Sequence, residues 1–473
     1  MNKAEKIKYF DSMAEERDKW RARNRYYYSQ LEKLLQFIIP PQSSVLQIGC
    51  GTGDLLAKLN PSHGVGIDFS HEMITRAKKK HPDLSFKQDD AEDLDLTEKF
   101  DYIILSDIIG HLYDVFQAFH ELHKVSRTES RIIITHYNYL WEPILKLSEK
   151  LRFKMKEGHQ NWLSLPDIEN LLLVNGFEII RSDNRLLFPK YIPLFSTLIN
   201  KYIAKLPLIR KLCLVQYVVA RPTDSKFTES IEKYSCSVVV PCRNEKGNIE
   251  DAVLRTPKMG EKQEIIFVDG ASTDGTIEEI ERVIAKYGVE KDIKLIHQGG
   301  GKGKGDAVRK GFADAQGDIL MILDSDLTVP PEDLPKFYKA LAANHGEFIN
   351  GTRLVYPMEK QAMRTLNVIG NKIFSWIFTW LLGQRIKDTL CGTKVLFRKD
   401  YLRIAAGRHF FGDFDPFGDF DLLFGAAKLN LKIVEIPIRY RARVYGDIKI
   451  DRFRHGWLLL KMCTVALKKI KLS

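Results

Sequence analysis

Two aspartates separated by one residue, Asp324 and Asp326, follow the apolar run 319–323 and precede Pro330 and Pro331. A short apolar run closed by prolines reads as a buried strand of a parallel sheet, and the carboxyl end of such a strand is where α/β folds put ligands. Paired carboxylates at that point suit Mg²⁺ or Mn²⁺ bridging a nucleotide diphosphate, because both ions take hard oxygen ligands and leave positions open for phosphate. Acidic pairs in loops also serve as turn and cap residues, so the chemistry rests on what accompanies them.

Several other segments carry the same strand-then-turn signature. In 236–253 a β-branched strand runs into Pro241, Cys242, Arg243, Asn244 and Glu245 and then a helix. In 263–280, Asp269 ends a strand and Asp274 stands at the next helix start, where a side-chain oxygen can cap free N–H groups. Lys302 and Lys304 lie among glycines at a further helix start, a combination that suggests phosphate. The residue after Lys304 is Gly305, so the GxxxxGK[ST] pattern of P-loop nucleotide hydrolases is not met. Earlier in the chain, 44–59 reads as strand, glycine turn (Gly49, Gly51, Gly53) and helix, with close backbone approach and free N–H groups at the helix start. Asp68 then ends a second strand, where a carboxylate can accept both hydroxyls of a ribose. Asp90 and Ala91 follow a third strand, and a fourth runs through Asp107 toward His111.

These elements must be positioned by more than one domain. With 473 residues, the chain exceeds the typical domain length of about 150 several-fold. The polar stretch 221–235 divides it, giving expected domains at 1–221 and 235–473 with a linker at 222–234. Both halves alternate apolar strands with amphipathic helices, so the expected fold class is α/β in two domains. The six cysteines show no CxxC spacing, which argues against a zinc site and a disulfide framework. The charged first 20 residues lack the apolar core of a signal peptide. No segment supplies the roughly 20 apolar residues of a membrane span; the nearest, 373–382, is half that length. A cytoplasmic chain is therefore expected, and its net charge of +11 implies attraction to something anionic.

In order and spacing, 24–220 resembles the class I S-adenosylmethionine-dependent methyltransferases. The resemblance implies a Rossmann-like fold with S-adenosyl-L-methionine as cofactor. Gly49, Gly51 and Gly53 would lie at its aminoacyl end, Asp68 on its ribose and Asp90 with Ala91 beside its adenine, and Asp107 joins the cofactor residues. Gln47 stands where the family often has an acidic residue, leaving the cofactor's ammonium without a carboxylate from that position. A dinucleotide site is disfavoured because Asp54 follows Gly53 with no third glycine in register. Displacement at a sulfonium needs alignment more than acid–base help, so His111, His136 and Tyr137 are candidates only to line the acceptor site.

Nearly all of 235–450 resembles, in motif order, the family 2 inverting glycosyltransferases, and within them the polyprenyl-phosphate sugar synthases. A GT-A type nucleotide-sugar-binding fold is implied. Pro241, Asn244, Glu245 and Asp269 would hold base and ribose, Asp324 and Asp326 the metal, and Lys302 and Lys304 would lie near the diphosphate. Thr328 replaces the glutamine that often adds a metal ligand. Arg353, Arg364, Arg441 and Arg443 fall in segments tied to acceptor or diphosphate contacts, where guanidinium suits phosphate, and Lys449 corresponds to the lysine of a closing loop. A lipid phosphate acceptor is already anionic and needs no strong base, whereas a sugar hydroxyl would need one, with Asp419 or Asp421 as candidates.

Three stretches, 186–212, 367–382 and 457–473, are amphipathic, aromatic and basic, the pattern of an interfacial surface, although for the last a helix packed on its own domain fits the pattern equally. The resulting expectation is a metal-dependent inverting glycosyltransferase using a nucleotide-sugar and a polyprenyl phosphate or other lipid-linked acceptor, peripheral at the cytoplasmic membrane face. It is fused to a methyltransferase of the same glycan or glycolipid pathway. One alternative keeps the sugar transfer, directed to a hydroxyl, beside an inactive docking domain. Another, a basic methyltransferase modifying nucleic acid, is opposed by the lack of RRM, KH or helix-turn-helix patterns, so no nucleic-acid partner is expected.

Overall fold

The computed structural model describes residues 3–158, 160–223, 233–300, 303–353, 365–410, 420–438, 440, 441, 443, 445 and 452–472. The chain divides into two compact units, Met1–Asp224 and Ser225–Ser473.

In the first unit the strands are β1 (Ser44–Ile48), β2 (His63–Asp68), β3 (Ser85–Gln88), β4 (Phe100–Ser106), β5 (Ser126–Tyr137), β6 (Phe177–Arg185) and β7 (Val215–Pro222). The helices are α1 (Lys3–Arg23), α2 (Arg25–Ile38), α3 (Asp54–Lys58), α4 (His71–Lys80), α5 (Val115–Val125), α6 (Glu142–Lys150), α7 (Leu165–Val174) and α8 (Phe195–Lys201). The sheet order is β3-β2-β1-β4-β5-β7-β6. All its pairings are parallel except those of β7, which runs antiparallel to both β5 and β6. The central strands β1 and β4 are buried on both faces, which is why they read as largely apolar runs. Along β4, Tyr102 and Ile104 join one core cluster while Ile103 and Leu105 join the other, the period of two that a strand imposes. Side-chain caps fix the helix starts: Ser70 accepts from the Met73 N–H on α4, and Asp114 from the Gln117 N–H on α5.

The second unit carries β8 (Cys236–Cys242), β9 (Gln263–Asp269), β10 (Asp292–His297), β11 (Ile319–Ile322), β12 (Phe348–Thr352), β13 (Lys394–Phe397) and β14 (Ile433–Pro437). Its helices are α9 (Ile249–Arg255), α10 (Thr276–Tyr287), α11 (Gly303–Asp314), α12 (Leu334–Ala342), α13 (Thr365–Leu382), α14 (Arg398–Ala406), α15 (Phe420–Lys428) and α16 (Arg452–Ala466). The order is β10-β9-β8-β11-β13-β12-β14, with β13 antiparallel to its two neighbours. The two-domain α/β class expected from the sequence is the one observed. In both sheets the chain direction of strand addition reverses at the centre, between β1 and β4 and between β8 and β11. A crevice forms there at the carboxyl ends of the strands.

Apolar segments with interfacial character behave differently from one another. On α16 and the turn after it, Leu459, Met462, Ala466 and Ile470 are buried, so much of that apolar arc packs within its own unit, while Trp457 and Leu460 stay exposed. Residues 186–212 instead expose most of their large apolar side chains. Among the described residues no helix is long and apolar enough to cross a membrane.

At the antiparallel edge of the first sheet, Arg221 on β7 is almost fully buried and ion-paired with Glu178 directly across on β6. Truncating Glu178 takes a carboxylate away from a buried guanidinium. Glu178→Ala should destabilise the fold by on the order of 3 kcal/mol, and Glu178→Gln, which keeps an acceptor, by clearly less; urea unfolding curves of the variants check this.

Candidate functional site

Each unit has a crevice site among the described residues. In the first, β1 ends in a turn in which Gly49, Gly51 and Gly53 all have positive φ (71°, 53° and 79°). A Cβ at Gly49 would collide with Ile108, so this position needs glycine for space as well as conformation. The turn aims the Gly51 N–H at Asp68, whose carboxylate accepts from it at 2.8 Å and from the Ser70 N–H at 3.0 Å. Burial nevertheless pushes the Asp68 carboxyl above its ordinary range, the backbone donors working against that shift.

Two adjoining cavities occupy the crevice and share Gly49, Asp68, Phe69, Ile108 and His111. One extends to Asp89, Asp90, Ala91 and Glu92, the other to Gln47, Arg17, Asp107, Tyr137 and Glu157. The structure thus brings together Gly49, Gly51, Asp68, Asp90, Ala91, Asp107, His111 and Tyr137 from the sequence-derived set, while Gly53 is the left-handed residue opening α3. Gln47 Oε1 is buried in this wall with no hydrogen-bond partner among the described residues. An orphaned acceptor beside charged groups fits the ammonium of an amino-acid moiety, and Arg17 fits its carboxylate. The residues present therefore suit S-adenosylmethionine, with Gln47 offering a neutral acceptor at the position where the sequence lacks a carboxylate.

α1 was missed as part of this site. Asp11 accepts from the Ser70 hydroxyl at 2.5 Å, and Phe10 meets Phe69 and His111 edge-on at 5.4 and 5.1 Å. These contacts lay Phe10 and Arg17 along the cavity. An aromatic–acidic helix before the first strand is the only signal the sequence offered, and it resembles any surface helix.

At the end of β4, Asp107 has φ 56°, an unusual conformation for aspartate. Burial pushes its carboxyl up to about 6, although Tyr27 donates to it at 2.6 Å. Burial pushes His111 and His136 down to about 4. Glu157, 3.8 Å from His111, is held below the usual carboxylate range despite its burial because Lys154 pairs with it at 2.6 Å.

In the second unit, β8 delivers Pro241 and, just beyond, Asn244 (φ 54°) and Glu245. Asn244 accepts from the Thr273 N–H at 2.8 Å and donates its own N–H to the Ser272 hydroxyl at 2.9 Å, tying this turn to the one after β9. Asp269 ends β9 buried; one oxygen accepts from the Ser272 N–H, and the other has no partner among the described residues. Asp324 and Asp326 follow β11, each on a cation: Lys304 is 2.6 Å from Asp324 and Arg443 2.6 Å from Asp326. Arg443 also reaches Glu245 at 3.2 Å, which joins the β8 turn to the aspartate pair. Burial alone would raise the Asp324 carboxyl, but Lys304 above all holds it below the ordinary value. Gly392 packs so close that a Cβ there would collide with both Asp324 and Lys304.

Thr328, in the place of the expected glutamine, donates its hydroxyl to Asp326 at 2.8 Å and so orients that carboxylate. Arg353 is committed to Asp388 through two guanidinium bonds of 2.7 and 2.9 Å. Asp421, in the first turn of α15, pairs with Arg408 at 3.0 Å and lies 3.8 Å from Arg309. Lys302, Arg364, Asp419 and Lys449 lie outside the described residues. Asp324 and Asp326 offer the hard oxygens a divalent cation takes; among the described residues no cluster of three or more His, Cys, Asp or Glu side chains forms around them.

Each unit has a mostly parallel sheet whose strand order reverses at the centre, with charged groups at the strand ends there. Residues 40–188 match a methyltransferase domain family, and residues 237–404 match glycosyl transferase family 2. Two segments of the chain thus match these families, a methyltransferase domain followed by glycosyl transferase family 2. Among curated relatives it is similar to the dolichol-phosphate mannosyltransferase of Saccharomyces cerevisiae, 38% identical over 25% of this chain and 44% of that protein. It is also similar to the dolichol-phosphate mannosyltransferase of Pyrococcus furiosus, 28% identical over 48% of this chain and 63% of that protein. To the glycosyltransferase AglJ of Haloferax volcanii it is 29% identical, over 47% of this chain and 68% of that protein. The chain thus spans less than two thirds of the first two relatives' length.

Asp107 has a folded-state pKa above its unfolded value of 3.8, so its contribution is full below that value and is lost as pH rises toward 6. Asp107→Asn should therefore gain stability relative to the parent across pH 4 to 6, by on the order of 2 kcal/mol, and hold that gain at higher pH. Thermal unfolding of both proteins across this range checks the sign.

Proposed function

We propose that the second unit is a metal-dependent inverting glycosyltransferase that moves a sugar from a nucleotide-sugar to a polyprenyl phosphate or other lipid-linked acceptor. The first unit acts as an S-adenosylmethionine-dependent methyltransferase in the same glycan or glycolipid pathway, and the functional domains are 1–221 and 235–473. The observation that carries the sugar-transfer reading is the chain of charges Glu245–Arg443–Asp326 beside Asp324–Lys304, at the carboxyl ends of β8 and β11. The family match and the dolichol-phosphate mannosyltransferase relatives support the same assignment.

Asp324 and Asp326 hold the divalent ion, Mg²⁺ or Mn²⁺, which when bound supplies positive charge to the departing diphosphate. Pro241, Asn244, Glu245 and Asp269 hold base and ribose, the unpartnered Asp269 oxygen being free to accept from a hydroxyl. Lys304 and Arg443 add fixed cations where charge develops on the leaving group, an electrostatic contribution that needs no reorganisation at the moment of reaction. A lipid phosphate attacks as an anion, so no side chain has to remove a proton. The hydroxyl-acceptor alternative would call on Asp419 or Asp421, and one oxygen of Asp421 is already engaged by Arg408. Such an acceptor places the enzyme at the cytoplasmic face of a membrane.

In the first unit, Arg17 and Gln47 take the two ends of the cofactor's amino-acid group, Asp68 its ribose, and the Asp90–Ala91 cavity its adenine, with the glycine turn allowing close approach.

The test supplies the full chain with nucleotide-sugars and Mn²⁺ and measures nucleoside diphosphate release. Release is expected only when a short polyprenyl phosphate is added. EDTA should abolish it and excess Mn²⁺ restore it, and Asp324→Asn or Asp326→Asn should each lower the rate by roughly a hundredfold or more. Full activity in either variant would overturn the metal assignment. Titration calorimetry should detect S-adenosylmethionine binding to the parent and a clear loss of affinity in Asp68→Ala.

A further inference from the structure

A third cavity in the first unit shares Arg17, Tyr28, Tyr137 and Glu157 with the inner cofactor cavity and continues away from it. Its far wall comes from two places: Leu145, Ser148 and Phe153 on and after α6, and Pro189 with Lys190. Phe153 lines the cavity and is also exposed, so the cavity reaches the surface there.

That surface is unusual. Residues 186–212 contain five lysines and arginines (Lys190, Lys201, Lys205, Arg210, Lys211) and no acidic residue. Leu194 and Leu208 are 87% and 80% exposed, and Tyr191, Leu198, Leu206 and Leu212 are at least half exposed. Leu194 sits at φ 63°, a conformation that costs a non-glycine residue energy and is not offset here by burial. Beside it, α6 and its flanks expose Ile144, Leu147 and Leu151 between Lys146, Lys150 and Arg152. The two elements are pinned together: the Trp141 indole donates to the Leu212 carbonyl at 2.8 Å, and the Asn138 amide to those of Lys211 and Cys213 at 2.9 and 3.0 Å. Exposed leucines alone would fit many partners; the accompanying excess of cations, five with no acid over 186–212 and three against Glu142 and Glu149 over 142–152, fits an anionic lipid surface.

We propose that the face formed by α6 and residues 190–212 docks on an anionic lipid bilayer, and that the adjoining cavity is the methyl-acceptor site, filled by an acceptor carried in that bilayer. The cavity suits such a guest. Trp20, Tyr27, Tyr28 and Tyr137 present aromatic walls, with Asn24 and Lys190 at hydrogen-bond distance of each other (2.8 Å) near Pro189. This assignment of the acceptor rests on reading the first unit as a methyltransferase, whereas the docking face does not.

The full chain, labelled with an environment-sensitive fluorophore at Leu194→Cys or Leu208→Cys, is mixed with vesicles of phosphatidylcholine and phosphatidylglycerol at 70:30. Emission at both positions should rise several-fold and shift to the blue, less so at high salt, while a label at Val289→Cys, exposed on the other unit, stays unchanged. Unchanged emission at both positions, whether or not the protein sediments with the vesicles, overturns the docking face. A Leu194→Asp/Leu208→Asp double variant should lose both the sedimentation attributable to this face and, with methyl-labelled S-adenosylmethionine and a dispersed total lipid extract, label in the organic phase. Its calorimetric affinity for S-adenosylmethionine should match the parent's. If the parent binds vesicles through this face but no S-adenosylmethionine, the methyltransferase reading fails and the docking face stands. If it binds the cofactor yet puts no label in the organic phase, the lipid-borne acceptor is overturned.

Discussion

A carboxylate at the carboxyl end of a buried parallel strand must find a partner, because an unpaired charge in that position costs several kcal/mol. Asp68, Asp107, Asp269, Asp324 and Asp326 all occupy such positions, and much of the local architecture follows from how each is satisfied. Asp68 accepts backbone N–H groups from the glycine turn after β1 and from Ser70, and Asp269 accepts one from the turn that follows it, which constrains those turns. Asp107 takes the Tyr27 hydroxyl, which ties α2 to the end of β4. Asp324 and Asp326 take an ammonium and a guanidinium that come from 20 and 117 residues away along the chain. Gln47 Oε1, without a partner among the described residues, lines the first crevice, where a ligand can supply one.

The two crevices solve this problem in opposite ways, and the difference bears on their chemistry. Around Asp324 the partner is a cation, so the carboxyl stays ionised and the site carries dense, nearly balanced charge. A departing diphosphate needs that kind of environment. Around Asp107 the main partner is a neutral phenol, and burial brings the carboxyl to about 6 while His111 is driven to about 4. At neutral pH that carboxyl is still mostly ionised and His111 is neutral; displacement of a methyl group from a sulfonium asks for alignment more than for a cation at that point.

What the sequence made legible was local. The strand-and-turn at Asp324, the glycine turn at Gly49 to Gly53 and the α/β class all rest on residues within a few positions of one another. The partners were not legible, because they are distant in sequence and chemically ordinary. Nothing in the pattern around Arg353 shows that Asp388 will take its guanidinium, or that Arg443 will span Glu245 and Asp326. Likewise α1 reads as a charged surface helix, and only its packing beside Phe69 and Ser70 makes Phe10 and Arg17 part of a binding wall. The departure at Thr328 was visible, but its consequence, a hydroxyl orienting Asp326, depends on geometry.

The amphipathic stretches show why pattern alone could not decide which of them faces outward. Residues 457–473 and 186–212 have similar hydropathy and similar excess of cations. In the first, an uninterrupted helix repeats its apolar residues at Leu459, Met462 and Ala466, so a single stripe can settle against α13 and be buried. In the second, Pro189, Pro193 and Pro207 cut the chain into short pieces, the seven-residue α8 and the turns Ile203–Lys205 and Ile209–Leu212. Short pieces at different angles cannot present one stripe to one core. Their leucines point several ways, and those that find no core remain on the surface among lysines and arginines. The same prolines that destroy the helical period therefore create the exposed apolar face, a consequence that a hydropathy pattern, blind to chain breaks, assigns equally to both segments.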